Sequence, residues 1–233
     1  IEIDHPDYAD LTDAMMLRLD HDLAPGGYSW IFHTGGDTAK VGICYIQNEA
    51  HRQFGRDDFT VDDYLQYWLD TDPRFADAER IEGKQHRGSA HIQLPEGLSA
   101  ANFMAVGDTV PTIDPLWGEG IGKGLKSGRA AAITADNCLM AGLDDTSAEA
   151  MSTYDRLWHE TVAPNVTKRL HMTQLLYRGT NERYDKLVRD LNSIGGDTLQ
   201  RANGGDIGAI LRIIKPEDIP VVARYAKEQF FGE

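Results

Sequence analysis

One stretch constrains this chain more than any other. Phe103-Met104-Ala105-Val106 reads as a buried strand that ends in Gly107-Asp108. A loop holding Pro111 and Pro115 follows, and then a helix that starts near Gly118 and runs to about Met140. A carboxylate at the end of a strand is placed to accept hydrogen bonds from ligand hydroxyls. Glycines at a helix start let backbone N–H groups approach a ligand closely. The helix N-terminus carries partial positive charge and free donors, so it favours anions. Gly120, Gly124, Gly128 and Ala132 lie four apart and form one smooth face that another element can approach. Two readings stand on spacing alone: a ligand-binding strand–loop–helix unit, or a glycine-rich helix that packs tightly.

Two familiar phosphate-binding patterns fail here. The P-loop needs Gly, four residues, then Gly-Lys-Ser/Thr. Gly122-Lys123 is followed by Gly124, and position 117 is Trp. The dinucleotide fingerprint needs glycines at offsets of about 0, 2 and 5, and Gly118 and Gly120 put Lys123 at the third.

Composition narrows the classes. The 233 residues carry 23 Lys plus Arg against 37 Asp plus Glu, a formal charge of −14. That balance argues against wrapping a nucleic-acid backbone, which needs clustered basic charge. Two cysteines are too few for a disulfide scaffold or a cysteine-rich zinc site. No apolar run approaches the roughly 18 residues of a membrane span. The acidic residues are scattered, as in Asp57-Asp58, Asp62-Asp63 and Asp144-Asp145, Asp outnumbers Glu, and Arg outnumbers Lys. Such a surface self-repels, and salt at about 1 M screens that repulsion to within about 3 Å. The expectation is a protein of a salt-loving organism. The chain opens Ile1-Glu2-Ile3, without an initiator Met or a signal-peptide pattern, and reads as the later part of a longer protein.

Along the chain, a short strand is expected at Ala14–Leu19. Tyr28–Phe32 alternates with period two, Thr34-Gly35-Gly36-Asp37 has turn chemistry, and Thr38–Ile46 is the return strand of a hairpin. A helix follows, with Thr60 as N-cap, Asp63 as capping-box acid, and Val61, Tyr64, Leu65, Trp68 and Leu69 as its apolar stripe; Pro73 ends it. Two more strands are expected near 80–87 and 89–94. From Thr146 onward the pattern is helical: 148–161, 165–177, 181–191 and shorter pieces to Phe231, with Pro164 as a break.

The stretch from Gly107 to Ala132 resembles the second flavin-binding motif of the para-hydroxybenzoate-hydroxylase-like FAD oxidoreductases. By that resemblance Asp108 hydrogen-bonds the ribityl chain, Gly107 precedes it, and Pro115, Gly118, Gly120 and Ile121 form the loop and helix start beside the isoalloxazine ring. The helix dipole there would favour negative charge on reduced flavin. A second resemblance is narrower. Pro25-Gly26-Gly27-Tyr28-Ser29-Trp30-Ile31-Phe32 is similar to the Pro-x-x-Tyr-x-Trp-x-Phe-Pro motif of geranylgeranyl reductases, with His33 where the family has Pro. Period two puts Tyr28, Trp30 and Phe32 on one face. They are either ordinary sheet core or, as the resemblance implies, the wall of a lipid cavity.

The resemblance covers residues 15–142. It implies a mixed α+β or α/β flavoprotein: a substrate-binding antiparallel sheet over 1–97, the second FAD motif of a Rossmann-like FAD domain over 98–142, and a helical region over 143–233. The family's Gly-x-Gly-x-x-Gly is absent from this sequence, and Cys44 and Cys138 do not match its cysteine motif. The implied activity is FAD-dependent reduction of C=C bonds in the isoprenoid chains of membrane lipids, in the cytoplasm with peripheral contact to a membrane. The substrate is a polyprenyl lipid, and the electron donor stays open between NAD(P)H and ferredoxin. The rivals are an electron-transfer-flavoprotein dehydrogenase or hydroxylase of the same fold, and a non-catalytic lipid-binding module. No residue stands out as the proton donor; Glu119 is as well read as a structural acid at the helix start. His86 and His91 lack a companion at metal spacing, so no metal is expected, and His159 and His171 read as surface or capping positions on helices. No Gly-x-Ser-x-Gly elbow supports a hydrolase.

Overall fold

The computed structural model describes residues 2–4, 14–47, 49–90, 92, 96–110, 113–140 and 146–231. The chain forms two compact units, one of residues 1–87, 174–199 and 211–233, the other of 88–173 and 200–210. The helices from residue 146 onward are shared between them.

The first unit is built on an antiparallel sheet of five strands: β1 (Glu2–Asp4), β2 (Met15–Arg18), β3 (Gly27–Gly35), β4 (Thr38–Tyr45) and β5 (Glu79–Arg80). Their order is β2-β3-β4-β1-β5. The expected hairpin is β3–β4, with Trp30 opposite Gly42 and a register shift between His33 and Gly35. At its tip His33 Nε2 donates to Gly36 O at 2.8 Å. Burial alternates along β3 as period two demands: Ser29 and Ile31 are buried, Tyr28, Trp30 and Phe32 half-buried.

The buried face of the sheet packs on α2 (Val61–Thr71), whose Tyr64 and Trp68 join Ile31, Ala39, Val41 and Ile43 in one core. Burying Ile31, Val41 and Ile43 contributes about 1.5–3 kcal/mol each. The capping box forms as the sequence predicts. Thr60 Oγ1 accepts from the Asp63 N–H at 3.3 Å, and the Asp63 carboxylate accepts from the Thr60 N–H at 2.8 Å. A short helix α1 (Glu49–Phe54) precedes α2. Helices α6 (Asn181–Leu191) and α9 (Ile219–Phe231) complete the unit. The turn before α9 is held to α6 by the paired contacts of Arg183 with Asp218, at 2.5 and 2.8 Å.

The second unit holds a two-stranded ladder, β6 (Ser99–Ala100) with β7 (Phe103–Met104), the long helix α3 (Ile121–Met140) and α4 (Ala148–Leu157). A π-helical turn over Trp158–Val162 leads to α5 (Val166–Leu176), and α7 (Gly196–Asn203) and α8 (Ile207–Ile213) follow α6 in the chain. Leu98, Ala130, Tyr154, Trp158 and Val162 form its core.

Three expectations are corrected. The strands near 80–87 and 89–94 reduce, among the described residues, to Glu79–Arg80. Residues 82–90 are exposed coil: Glu82 to Ala90 offers no apolar face to bury, and Gly83 takes φ +73°. His91 and residues 93–95 of the second expected strand lie outside the described residues, as does Pro111. Phe103–Val106 is not a buried strand. Only Phe103–Met104 pairs, and Phe103 is 59% exposed. Finally, α3 begins at Ile121 rather than Gly118, because Gly118 sits at φ +70°, outside the right-handed helical region.

Candidate functional site

In the second unit the strand end is pinned from two sides. Tyr154 Oη donates to Ala105 O at 2.6 Å, and the Gly107 N–H donates to Ser127 Oγ on α3 at 3.0 Å. Ser127 in turn donates to Gly124 O at 2.8 Å. Gly107 opens a tight turn to Thr109 at φ +60°, a conformation that disfavours any side chain. That turn carries Asp108 onto the start of α3. A Cβ added at Gly120 would stand 3.0 Å from Asp108 Oδ1, and one at Gly124 would be 3.9 Å from Gly107 Cα. The first half of the smooth glycine face is therefore the seat of the Gly107-Asp108 turn, while nothing stands within 4 Å of a Cβ at Gly128. Gly107, Asp108 and Gly120 come together. Ile121, 87% exposed, is the first residue of α3 beside them.

The loop between is organised by a residue the sequence reading did not single out. Asp114 is 4% exposed, and its carboxylate gathers four partner residues. Its Oδ1 accepts from the N–H groups of Leu116 at 2.9 Å and Trp117 at 3.2 Å, and from Arg169 Nη2 at 2.8 Å. Its Oδ2 accepts from Lys123 Nζ at 3.0 Å and pairs with Arg169 Nε. Its own backbone closes the loop: the Asp114 N–H donates to Glu119 O at 2.7 Å, and the Gly118 N–H donates to Asp114 O at 2.8 Å. Pro115 and Leu116 are buried by this closure. Burial alone would raise the Asp114 pKa, but Arg169 and Lys123 outweigh it and hold the group below the ordinary carboxylate range. Asn203 on α7 extends the network, accepting from Trp117 Nε1 at 2.8 Å and, through its carbonyl, from Arg169. An Asp before a proline is a visible turn signal. Nothing local links it to Arg169, 55 residues on.

In the first unit Tyr28, Trp30 and Phe32 line up on one face, with ring centroids 5.7 Å and 6.1 Å apart along the row. Directly opposed residues of an antiparallel pair share a face. Met15 opposes Phe32 and Leu17 opposes Trp30, so β2 extends the aromatic face outward. Met15 is 74% exposed. On the other flank Trp30 lies across Gly42 of β4, and Cys44 opposes Tyr28. Burial pushes the Cys44 thiol pKa up, against hydrogen bonding from Tyr28 that lowers it. A glycine inside a strand marks a close approach, and Gly42 was legible on that ground.

Residues 5–85 match the model described as the geranylgeranyl reductase catalytic domain. The chain is 65% identical over 223 residues to the digeranylgeranylglycerophospholipid reductase of Haloferax volcanii, covering 96% of this chain and 54% of that protein. The like-named protein of Methanoculleus marisnigri is 33% identical over 152 residues, 65% of this chain and 35% of its own length. The chain thus spans about half the length of its Haloferax relative. A crystal structure of a geranylgeranyl bacteriochlorophyll reductase-like protein from Thermoplasma acidophilum shares the fold at TM-score 0.71 and 24% identity, covering 92% of this chain and 50% of that one. Among the described residues no helix is long and apolar enough to cross a membrane.

Proposed function

We propose that this chain works within an FAD-dependent reductase that saturates C=C bonds in the polyprenyl chains of membrane lipids. The observation that carries the reading is the aromatic row Tyr28, Trp30 and Phe32, laid on the sheet face away from the α2 core and continued by Met15 and Leu17. A row of apolar side chains of this kind suits a long hydrocarbon chain. The names of the relatives supply the substrate class.

The residues near α3 fit a flavin. Gly120 leaves room for the Asp108 carboxylate against the helix start, a space that a Cβ would crowd. The first N–H groups of any helix lack helical partners and favour negative charge. In this reading Asp108 holds the ribityl hydroxyls. Gly107, Pro115, Gly118, Gly120 and Ile121 shape the loop and helix start, and Tyr28, Trp30 and Phe32 hold the prenyl chain. Bound FAD supplies two-electron reduction of the alkene. Residues 1–97 then supply the substrate sheet, 98–142 the flavin motif and 143–233 the helical support. The electron donor is NAD(P)H or ferredoxin. Contact with the membrane is peripheral and rests on apolar rather than basic surface.

The test is the visible spectrum of the protein produced from its complete reading frame in high salt. A flavin band that bleaches on reduction and returns when an unsaturated prenyl lipid is added supports the proposal. A colourless protein sinks it. Prenyl-lipid binding without flavin would favour the non-catalytic lipid-binding alternative.

A further inference from the structure

We propose that Asp114, held by Lys123 and Arg169, is the positioning residue of the cofactor loop, so that α5 and α7 of the helical region set the geometry in which flavin is bound. The inference rests on the flavin reading above. Its basis is a continuous chain of contacts within one unit. Arg169 on α5 and Lys123 on α3 grip the Asp114 carboxylate. The carboxylate grips the N–H groups of Leu116 and Trp117. The Asp114 backbone closes on Gly118 and Glu119, which places Gly120 beneath Asp108. Asn203 on α7 holds Trp117 and Arg169 together from outside.

Two features separate this network from ordinary core. An apolar residue could have filled the Asp114 site, and a buried ion cluster is often no more stable than such a replacement. What an ion cluster gives instead is one fixed arrangement, because each donor has a single acceptor geometry that satisfies it. The cluster also stands at the loop itself. Two loop N–H groups, those of Leu116 and Trp117, and two cationic side chains converge on one carboxylate, and the backbone closures of Asp114 with Glu119 and Gly118 hold the same loop immediately before Gly120. A ligand held by N–H groups in this loop loses affinity when the loop is free to sample other arrangements. Asp114, Lys123, Arg169 and Asn203 need not touch the flavin for this to hold.

The experiment measures FAD affinity by quenching of flavin fluorescence, and visible circular dichroism of the bound flavin, on the protein from its complete reading frame. Wild type is compared with Asp114→Asn, Arg169→Met and Arg169→Lys, at a temperature where far-ultraviolet circular dichroism shows each to be folded. Thr60→Ala, which removes the α2 cap, serves as the control for simple destabilisation. Asp114→Asn and Arg169→Met are expected to raise the FAD dissociation constant at least tenfold and to alter the flavin dichroism. Arg169→Lys recovers part of the loss, and Thr60→Ala changes neither reading. Wild-type affinity and dichroism in folded Asp114→Asn and Arg169→Met overturn this proposal while leaving the flavin reading intact. A wild type that binds no flavin overturns both. Where Asp114→Asn does not fold, Lys123→Met, which removes the more exposed of the two cations that hold Asp114, is read against the same expectation.

Discussion

The Trp30 indole lies against the backbone of Gly42 on the neighbouring strand: a Cβ added at Gly42 would fall 2.3 Å from the ring carbon Cζ2. No ring can stay there beside a methyl group. The contact therefore sets how flat the aromatic face is, and through it the floor offered to a hydrocarbon chain.

Gly42→Ala is expected to lift the Trp30 ring. Because the ring is half-buried and can swing, the stability cost should be modest, on the order of 1 kcal/mol. Trp30 fluorescence and the KM for a prenyl lipid should both shift. Gly27→Ala is the contrasting variant. Its Cβ would meet Cys44 O at 1.9 Å, which is backbone and cannot swing aside. It should cost more than Gly42→Ala in urea unfolding. Equal losses for the two would refute the steric account.

Asp72 links α2 to the turn that follows. It accepts from Trp68 Nε1 at 3.0 Å and from Arg74 Nε at 2.9 Å. The Arg74 guanidinium, acting against the cost of burial, lowers its pKa from 3.8 to about 2. A folded pKa below the unfolded one gives stability that is present above about pH 4 and is lost as the pH falls toward about 2. Discounted for solvent screening, the loss is on the order of 1 kcal/mol. Asp72→Asn should flatten that part of the acid unfolding profile, measured by circular dichroism. A profile as steep as wild type would show that other carboxylates carry it.

What the sequence reveals and what it hides divide along the range of the interaction. The capping box of α2 needs only Thr60 and Asp63, three residues apart, and it forms as read. The β3–β4 hairpin follows from period two and a Gly-Gly turn. The expected strands after Arg80 fail because nothing between Glu82 and Ala90 alternates apolar with polar, which a half-buried strand requires. The Gly107-Asp108 turn and the aromatic row were found through resemblance, supported by local glycine and period-two logic. Asp114 was visible as a residue, but its meaning depends on Arg169 and Asn203, which approach it through the tertiary fold alone. Likewise Met15 and Leu17 become part of the aromatic face only through the β2–β3 register.

His21 is buried where β3 begins. Its Nε2–H donates to Gly179 O at 2.7 Å, its Nδ1 accepts from the Gly26 N–H at 3.2 Å, and its ring stacks on Phe54 at 4.0 Å. Tyr184 faces the ring, and Asp20 and Asp22 are the acids that act on it electrostatically. Burial lowers its pKa below 6.5, against the raising influence of the Gly179 carbonyl and of Asp20 and Asp22. A depressed histidine gives stability that is full above 6.5 and is lost as the pH falls below it toward the folded value. Protonation also turns Nδ1 into a donor and strips Gly26 of its acceptor. The protection factor of the Gly26 amide, which divides out the intrinsic slowing of exchange, should therefore fall as the pH drops from about 7 to about 5. Since His51 is also lowered by burial, the difference between wild type and His21→Gln isolates the effect. Identical pH slopes in the two proteins would contradict it.

The formal charge of −14 predicts how stability responds to salt. Two effects oppose each other. Salt weakens exposed pairs such as Arg87 with Asp62 and Arg201 with Asp206, but such pairs contribute about 0–1 kcal/mol each. Salt also screens repulsion among exposed carboxylates such as Asp57 and Asp58, and with so large an excess of negative charge this effect should win. The buried cluster at Asp114 is screened far less and should not set the trend. The melting temperature should rise steadily between about 0.1 M and about 2 M potassium chloride. A rise could also come from salting-out of apolar surface, which acts whatever the charge. The double substitution Asp57→Lys with Asp58→Lys separates the two, because it lowers the net negative charge without touching the core. It should raise the melting temperature at low salt and flatten the dependence on salt. A slope that stays at the wild-type value would assign the effect to salting-out and remove the charge explanation.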